Sequence, residues 1–508
     1  MTDDDRLSPE VRAIAIVVIV GAIMSILDTT IVNVALETLS RELHASLSSI
    51  QWVSTGYLLA LATVIPLTGW AAEHFGPKRV WMTVVTGFVL TSALCGLAWS
   101  AESLIAFRVL QGLAGGMVMP IGMITLAQAA GPQRMGRVMS VVGVPMLLAP
   151  VLGPVIGGLI VETLSWRWIF FVNLPIGLAG LVLAARLLPP GRAEGLGGEH
   201  PTKLDWRGLL MLSPGVALLV FGLSEVGSHG GFEGLDPVWI AGGLALIAGF
   251  VRHGLHTERP LVDIRLFGKR GFAAAGATIF FVGSALFGAM LLLPLYYQVA
   301  RGQSPLEAGL LMAPQGLGAA VGMRFSGRLT DRRGGGPVVL TGLIVLLAGT
   351  LPFTLLDATT PYWLLAVAVA VRGVGLGFSM MPAMAAAYAT LERTQVPRAT
   401  PMLNVVQRVG GSLGTAILAV VLQHQLTSAL AGAGARASSG AALESARSAP
   451  PALRARFADP VAAAFAHTYW WSFALTAVAL VPAAVLAATE RRRSERGAPA
   501  AAAAPLAG

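Results

Sequence analysis

Asp28 is the one acidic residue that falls clearly inside a long apolar stretch, in Leu27-Asp28-Thr29-Thr30-Ile31-Val32-Asn33-Val34-Ala35-Leu36. An unpaired charge at membrane depth costs several kcal/mol or more, so a carboxylate there needs a partner or a function. Glu162, Glu225 and Asp357 fall near expected helix ends instead. The chemistry open to Asp28 is reversible protonation. At about 1.5 Å per residue it lies roughly 10 Å inside the outer end of helix one, and Arg108 sits at similar depth in helix four. Burial disfavours a carboxylate's charge and a guanidinium favours it, so protonation of such a pair answers to small changes of distance and hydration. A buried ion pair kept for packing specificity is the alternative. Arg372 and Arg408 are also expected within helices, where backbone carbonyls, water or a ligand must satisfy them in the absence of a carboxylate. Arg372 is accordingly a candidate substrate contact, whereas Arg324 is near enough to a helix end to snorkel.

The elements that carry these residues are membrane helices. A chain of 508 residues with 55% hydrophobic and 12% charged residues and a mean hydropathy of +0.72 does not fold as a water-soluble domain. Apolar stretches of the roughly 20 residues that span a bilayer recur about fourteen times. Their expected starts are Ala13, Ser48, Lys78, Glu102, Gly136, Arg167, Trp206, Asp236, Gly271, Pro305, Pro337, Thr360, Thr400 and His467. An even count puts both termini on one side, and the basic residues choose the cytoplasmic one. Lys78, Arg79, Arg134, Arg137, Arg328, Arg332, Arg333 and Arg393 fall in inner segments, while the short outer loops hold only Arg41, Arg167 and Arg301. The long penultimate loop carries Arg436, Arg447, Arg454 and Arg456, but long loops cross regardless of charge. This topology explains the net charge of +9 better than nucleic-acid binding does, because the basic residues are dispersed. Cys95 is the lone cysteine, which excludes an intramolecular disulfide or a cysteine metal cluster. The polar, acidic start MTDDDRLSPEVR is expected to precede a retained helix, not a cleaved signal peptide.

An internal repeat divides the chain. Gly69, Glu73 and Gly76 fit Gly-x-x-x-acid-x-x-Gly, and so do Gly327, Asp331 and Gly334, 258 residues later (69 to 327). Glu73 with Lys78 and Arg79, and Asp331 with Arg332 and Arg333, are expected to latch and release between conformations, as duplicated transporter halves require; inside-positive anchoring is the alternative for the basic residues. A weaker echo sets Arg108, Gly112 and Pro120 in helix four against Arg372, Gly375 and Pro382 in helix twelve. Pro150, Gly153, Pro154, Gly157 and Gly158 in helix five offer a small-residue face for close approach and prolines that interrupt the backbone ladder. A pocket for lipophilic molecules needs apolar and aromatic walls with few polar groups. Candidate lining residues in the first half are Asn33, Trp52, Tyr57, Gln111 and Met119; in the second half they are Phe281, Tyr297, Gln298, Gln315, Arg372 and Asn404. Each of these, taken alone, is more readily core or interfacial belt than ligand contact. With one deep carboxylate, neutral, zwitterionic or monocationic amphiphiles are expected over dications.

The loop from Gly69 to Arg79 resembles the signature loop of the major facilitator superfamily, and LDTTIVNVAL resembles the signature of its fourteen-helix drug:H+ antiporter branch, the EmrB/QacA type. Gln51-Trp52 with Tyr57, Arg108 to Gly112, Gly153 to Gly158, Trp166 to Gly177 and Asn404 to Gly411 agree with it, over most of the chain. Glu73 in place of Asp, His74 and Pro77 in place of basic residues, Leu36-Glu37 in place of Leu-Pro, and Ala149 depart from the family pattern. The resemblance implies an all-α polytopic membrane protein with the major facilitator fold: two six-helix bundles with two inserted helices and both termini cytoplasmic. Its expected divisions are a cytoplasmic N-terminus at 1–12, a first bundle at 13–188, a linker with the extra helices at 189–270, a second bundle at 271–489 with a long outer loop at 425–466, and a disordered tail at 490–508. It further implies proton-linked roles for Asp28 and Arg108, an antiporter motif in helix five, and a structural or gating role for Arg408. The expected function is proton-coupled efflux of lipophilic neutral or monocationic compounds by alternating access in a bacterial cytoplasmic membrane, without cofactor or metal. Export or flipping of an endogenous lipid or metabolite is the alternative. The expected partners are small amphiphilic substrates, protons and the bilayer, with a periplasmic adaptor and outer-membrane channel as candidates and a monomer as the transport unit. With no Gly-x-x-x-x-Gly-Lys-Ser/Thr sequence there is no sign of an ATP-driven pump, and an enzyme is disfavoured, since the chain has no His-Glu-x-x-His sequence.

Overall fold

The computed structural model describes residues 7–131, 134–189, 203–432 and 451–497. Among them there are helices and no strands. The first half contains α1 (Pro9–Glu42), α2 (Leu47–Val64), α3 (Thr68–Phe75), α4 (Pro77–Gly96), α5 (Ala101–Gly115), α6 (Val118–Ala130), α7 (Met135–Thr163), α8 (Trp168–Phe171) and α9 (Asn173–Leu187). The hairpin α10 (Trp206–His229) and α11 (Asp236–His256) follows. The second half contains α12 (Arg270–Leu295), α13 (Pro305–Arg333), α14 (Gly335–Thr350), α15 (Tyr362–Ala389), α16 (Val396–Gly432), α17 (Pro451–Val478) and α18 (Leu480–Gly497). Twelve helical segments among the described residues are long and apolar enough to cross a membrane. α7 and α13, with 29 residues each, lie outside that set.

Serines start several helices: Ser8, Ser46, Ser100 and Ser304 each accept a backbone N–H of the first turn, supplying donors that would otherwise be unpaired with an oxygen. Breaks fall at proline and glycine. Pro66 turns the α2–α3 rod into a short 3-10 segment, and Gly116 opens the junction of α5 and α6. The prolines of helix five do not break it, because α7 continues through Pro145, Pro150 and Pro154. The expected outer loop at 425–466 is also shorter than anticipated. Runs rich in alanine and leucine keep good helix formers in register, so α16 continues to Gly432 and α17 begins at Pro451 rather than near His467. Residues 433–450, 1–6 and 498–508, the last within the tail expected to be disordered, lie outside the described residues.

The halves are packed alike. α1 packs on α7 and α12 on α16, while α2 packs on α5 and α13 on α15. Between halves, α7 lies on α13 and α15, and α16 lies on α3 and α6. The α10–α11 hairpin seats its α10 face on α2 and α16, where Leu219, Leu223 and Ala416 form a buried apolar cluster.

Candidate functional site

Asp28 is completely buried on α1 and holds three side-chain donors. Arg108 Nη1 on α5 donates to Oδ2 at 2.6 Å, while Gln111 Nε2 at 3.0 Å and Asn173 Nδ2 at 2.8 Å donate to Oδ1. Gln111 and Asn173 give their remaining amide hydrogens to Ser92 Oγ on α4, and Ser92 donates to the carbonyl of Phe170. Arg108 also donates to Gln111 Oε1 and, through Nε, to the carbonyl of Val53. Its guanidinium lies 4.0 Å over the Tyr57 ring. Five helices and the short α8 segment thus build one buried charge pair, where charge-assisted hydrogen bonds are strong and an unmet charge is costly. Asp28 and Arg108, read from sequence as able to meet, are brought together.

The glycines of helix five lie against the same turn. A Cβ at Gly153 would collide with Thr30, and one at Gly157 would press on the backbone of Ile31, whereas Gly158 faces open space. Backbone-to-backbone approach of α7 to α1 two residues beyond Asp28 is therefore what Gly153 and Gly157 permit. The side chains of Pro150 and Pro154 lie outside the described residues.

The two loop motifs correct one expectation. Glu73 does not pair with Lys78 or Arg79, nor Asp331 with Arg332 or Arg333; each acid reaches across to the opposite half. Arg398 on α16 forks onto Glu73 at 3.0 and 2.9 Å. Arg137 on α7 donates to Asp331 at 2.8 Å, and the backbone N–H groups of Gly136 and Arg137 add to it. The reason is close approach. Gly69 abuts the backbone of Pro397, and Gly327 abuts Gly136 and Ser140, so each acid is delivered to the start of a helix in the other half, where N–H groups and the helix dipole favour an anion. Gly76 and Gly334 close both motifs with φ of 86° and 85°, values that L side chains rarely adopt. Lys78 instead donates to the carbonyls of Ala185 and Leu188 at the end of α9, while Arg79 is exposed.

The candidate pocket residues are distributed over both halves. Gln111 belongs to the Asp28 network and Tyr57 to its wall. Asn33 is exposed and accepts from Ser54, and Trp52 lies 5.7 Å from Phe221 of the α10–α11 hairpin. Met119, Phe281, Gln298, Gln315 and Asn404 are partly buried, the last donating to its own helix at Thr400. Tyr297 and Arg372 are buried in the second half. Arg408, on α16, lies within electrostatic reach of Tyr57 in the other half. Ser92 and Asn173 are the site residues that sequence reasoning did not single out. Asn173 stands inside the Trp166 to Gly177 segment, which was the available signal; Ser92 has none, being one hydroxyl in an apolar helix.

A family model described as Major Facilitator Superfamily matches residues 18–415. The chain is 44% identical over 425 residues to a Mycobacterium tuberculosis protein named "Multidrug resistance protein B homolog", covering 83% of this chain and 78% of that one. It is 34% identical over 422 residues to the "Probable actinorhodin transporter" of Streptomyces coelicolor, covering 80% and 72%. Its fold is similar to the crystal structure of the human organic anion transporter MFSD10 (TETRAN), with a TM-score of 0.61 and 16% identity over 92% of this chain and 100% of that one. At that identity the likeness is one of fold alone.

Proposed function

The chain belongs to the major facilitator superfamily, a family of membrane transporters and not of enzymes, and from that premise we propose that it exports small molecules in exchange for protons. The observation that carries this reading is Asp28, buried with Arg108 among Gln111, Asn173 and Ser92. A carboxylate so placed has two stable conditions: ionised against the guanidinium, or protonated when hydration or helix movement draws the two apart. Binding of substrate and proton then oppose each other through this pair. The relatives named for multidrug resistance and for actinorhodin transport support small-molecule export.

The proposed topology counts α7 and α13 as spans beside the twelve apolar segments, giving fourteen in the manner of the EmrB/QacA type. Both termini are then cytoplasmic, with bundles at 13–188 and 271–489 and the α10–α11 hairpin inserted between them. Asp331 and Glu73 then lie on the cytoplasmic face, and with both pairs closed that face is shut. The site's charges alter the expected cargo. Arg108 already offsets Asp28, so the pair supplies no free negative charge for a monocation.

The decisive measurement is substrate-driven proton release in proteoliposomes, with ethidium as a cationic probe and anthraquinone-2-carboxylate as an anionic one. Release by the parent that vanishes in Asp28→Asn while binding survives is the expected result. Release unchanged in Asp28→Asn would remove Asp28 from the coupling step, and no release by the parent would sink proton exchange altogether.

A further inference from the structure

The halves differ in what they place at one equivalent position, and close packing fixes the correspondence. A Cβ at Gly112 would strike the carbonyl of Tyr57, and one at Gly116 would strike that of Leu61; Gly373 and Gly377 stand in the same relation to Gln315 and Ala319. α2 and α13 are thereby offset by 258 residues (57 to 315), and α5 and α15 by 261 (112 to 373). This register corrects the echo read from sequence: Arg372 stands opposite Gln111, and Val369 stands where Arg108 would be.

Gln111 is a donor to the buried carboxylate of Asp28. The second half puts a cation at that donor position, yet α12, the counterpart of α1, carries no acidic residue from Arg270 to Leu295. Arg372 is 2% exposed, and none of its N–H groups has a hydrogen-bonding or ionic partner among the described residues. The Tyr469 phenol lies within electrostatic reach of Arg372 and Tyr297. The hydroxyls of Tyr469 and Tyr297, both fully buried, have no partner either, nor does Ser472 Oγ one turn along α17. Phe353 stacks on Tyr469 at 5.1 Å, giving the cluster an aromatic wall. A buried guanidinium without an anion is costly, and its planar fork matches a carboxylate bidentately. The unpaired Tyr469 hydroxyl within its reach adds a donor of the kind that Gln111 and Asn173 provide to Asp28.

We propose that Arg372, with Tyr469 beside it, is an acid-binding subsite of the second half that takes the carboxylate of an exported aromatic compound. The subsite rests on the export reading and names its substrate class. Asp28 and Arg108 offset each other, while Arg372 and Arg408 have no acidic partner among the described residues, so the interior favours anionic cargo over the monocations expected from sequence.

The test is equilibrium binding to the purified full-length protein in micelles, without a pH gradient, using anthraquinone-2-carboxylate and its methyl ester. The parent is expected to favour the carboxylate by at least about tenfold, the low end for one charge-assisted hydrogen bond. Arg372→Gln abolishes that preference and leaves ester binding unchanged, which reports an intact fold. Tyr469→Phe keeps the cation and volume and lowers the preference about threefold. An equal preference in parent and Arg372→Gln overturns the proposal, as does binding of neither probe. Repeating the series in chloride and in gluconate separates the sources of the anion: chloride that stabilises the parent but not Arg372→Gln, with no preference for the carboxylate, means an inorganic-anion site and refutes the subsite. Because no gradient is used, failure of the Asp28→Asn proton assay leaves this result standing, and the reverse holds too.

Discussion

At the scale of residues, Gln111 and Asn173 matter to the degree that Asp28 is charged. Each amide commits both hydrogens, one to Asp28 and one to Ser92, so the network is saturated on its donor side. Gln111→Leu should therefore destabilise the protein by about 1.5–3 kcal/mol, as expected for a lost hydrogen bond to an ion. In an Asp28→Asn background the same change should cost about 1 kcal/mol less, since the carboxylate it served is gone. Denaturant unfolding of the four proteins of this cycle in detergent checks the coupling; strict additivity would show that Gln111 serves packing alone. Asp28 and Arg108 were legible in the sequence because a charge in an apolar run stands out against its neighbours. Gln111 was legible as a candidate pocket residue in the Arg108 to Gly112 segment but not as a partner of Asp28, and Ser92 not at all, because an uncharged hydroxyl in a membrane helix is common and its importance arises from what faces it.

At the scale of elements, packing faces decide what a motif means. Gly153 and Gly158 belong to one short run, yet one abuts Thr30 and the other faces open space. Gly153→Val should thus force α7 away from α1, cost about 1–3 kcal/mol by overpacking and abolish substrate-driven proton release. Gly158→Ala should leave both within error. Equal tolerance of the two changes would contradict the close α1–α7 contact. The sequence pattern located the helices well, since apolar length is a strong signal, but it gave no account of which glycines touch a partner. It also placed a loop at 425–466, whereas α16 runs to Gly432 and α17 begins at Pro451, because small polar and alanine-rich stretches read as loop when their helical stacking partners are unknown. The internal echo suffered likewise. Matching Arg108 to Arg372 by residue type missed the true register by three positions, and only the glycine-to-carbonyl contacts at Gly112 and Gly373 corrected it.

At the scale of the whole molecule, the two crossed ion pairs turn a duplicated sequence motif into a clasp between halves. Glu73 with Arg398 and Asp331 with Arg137 bridge the halves, each an acid from one half on an arginine of the other. Sequence alone paired these acids with their neighbours, because nearness along the chain was the only distance it offered. If the clasp holds the shut state, losing one pair should shift the balance toward opening by about tenfold, the equivalent of about 1.4 kcal/mol, and losing both by about a hundredfold. Ser140, buried under Gly327, is a reporter for that opening. A cysteine placed there by Ser140→Cys should react slowly with a membrane-impermeant maleimide in the parent, faster in Glu73→Gln or Asp331→Asn, and fastest in the double variant. Combining Glu73→Arg with Arg398→Glu should restore slow labelling, because the swapped pair can form across the same gap. Labelling that rises with Glu73→Gln and is not restored by the swap would mean that local loosening of α3, not release of a clasp, exposes the site.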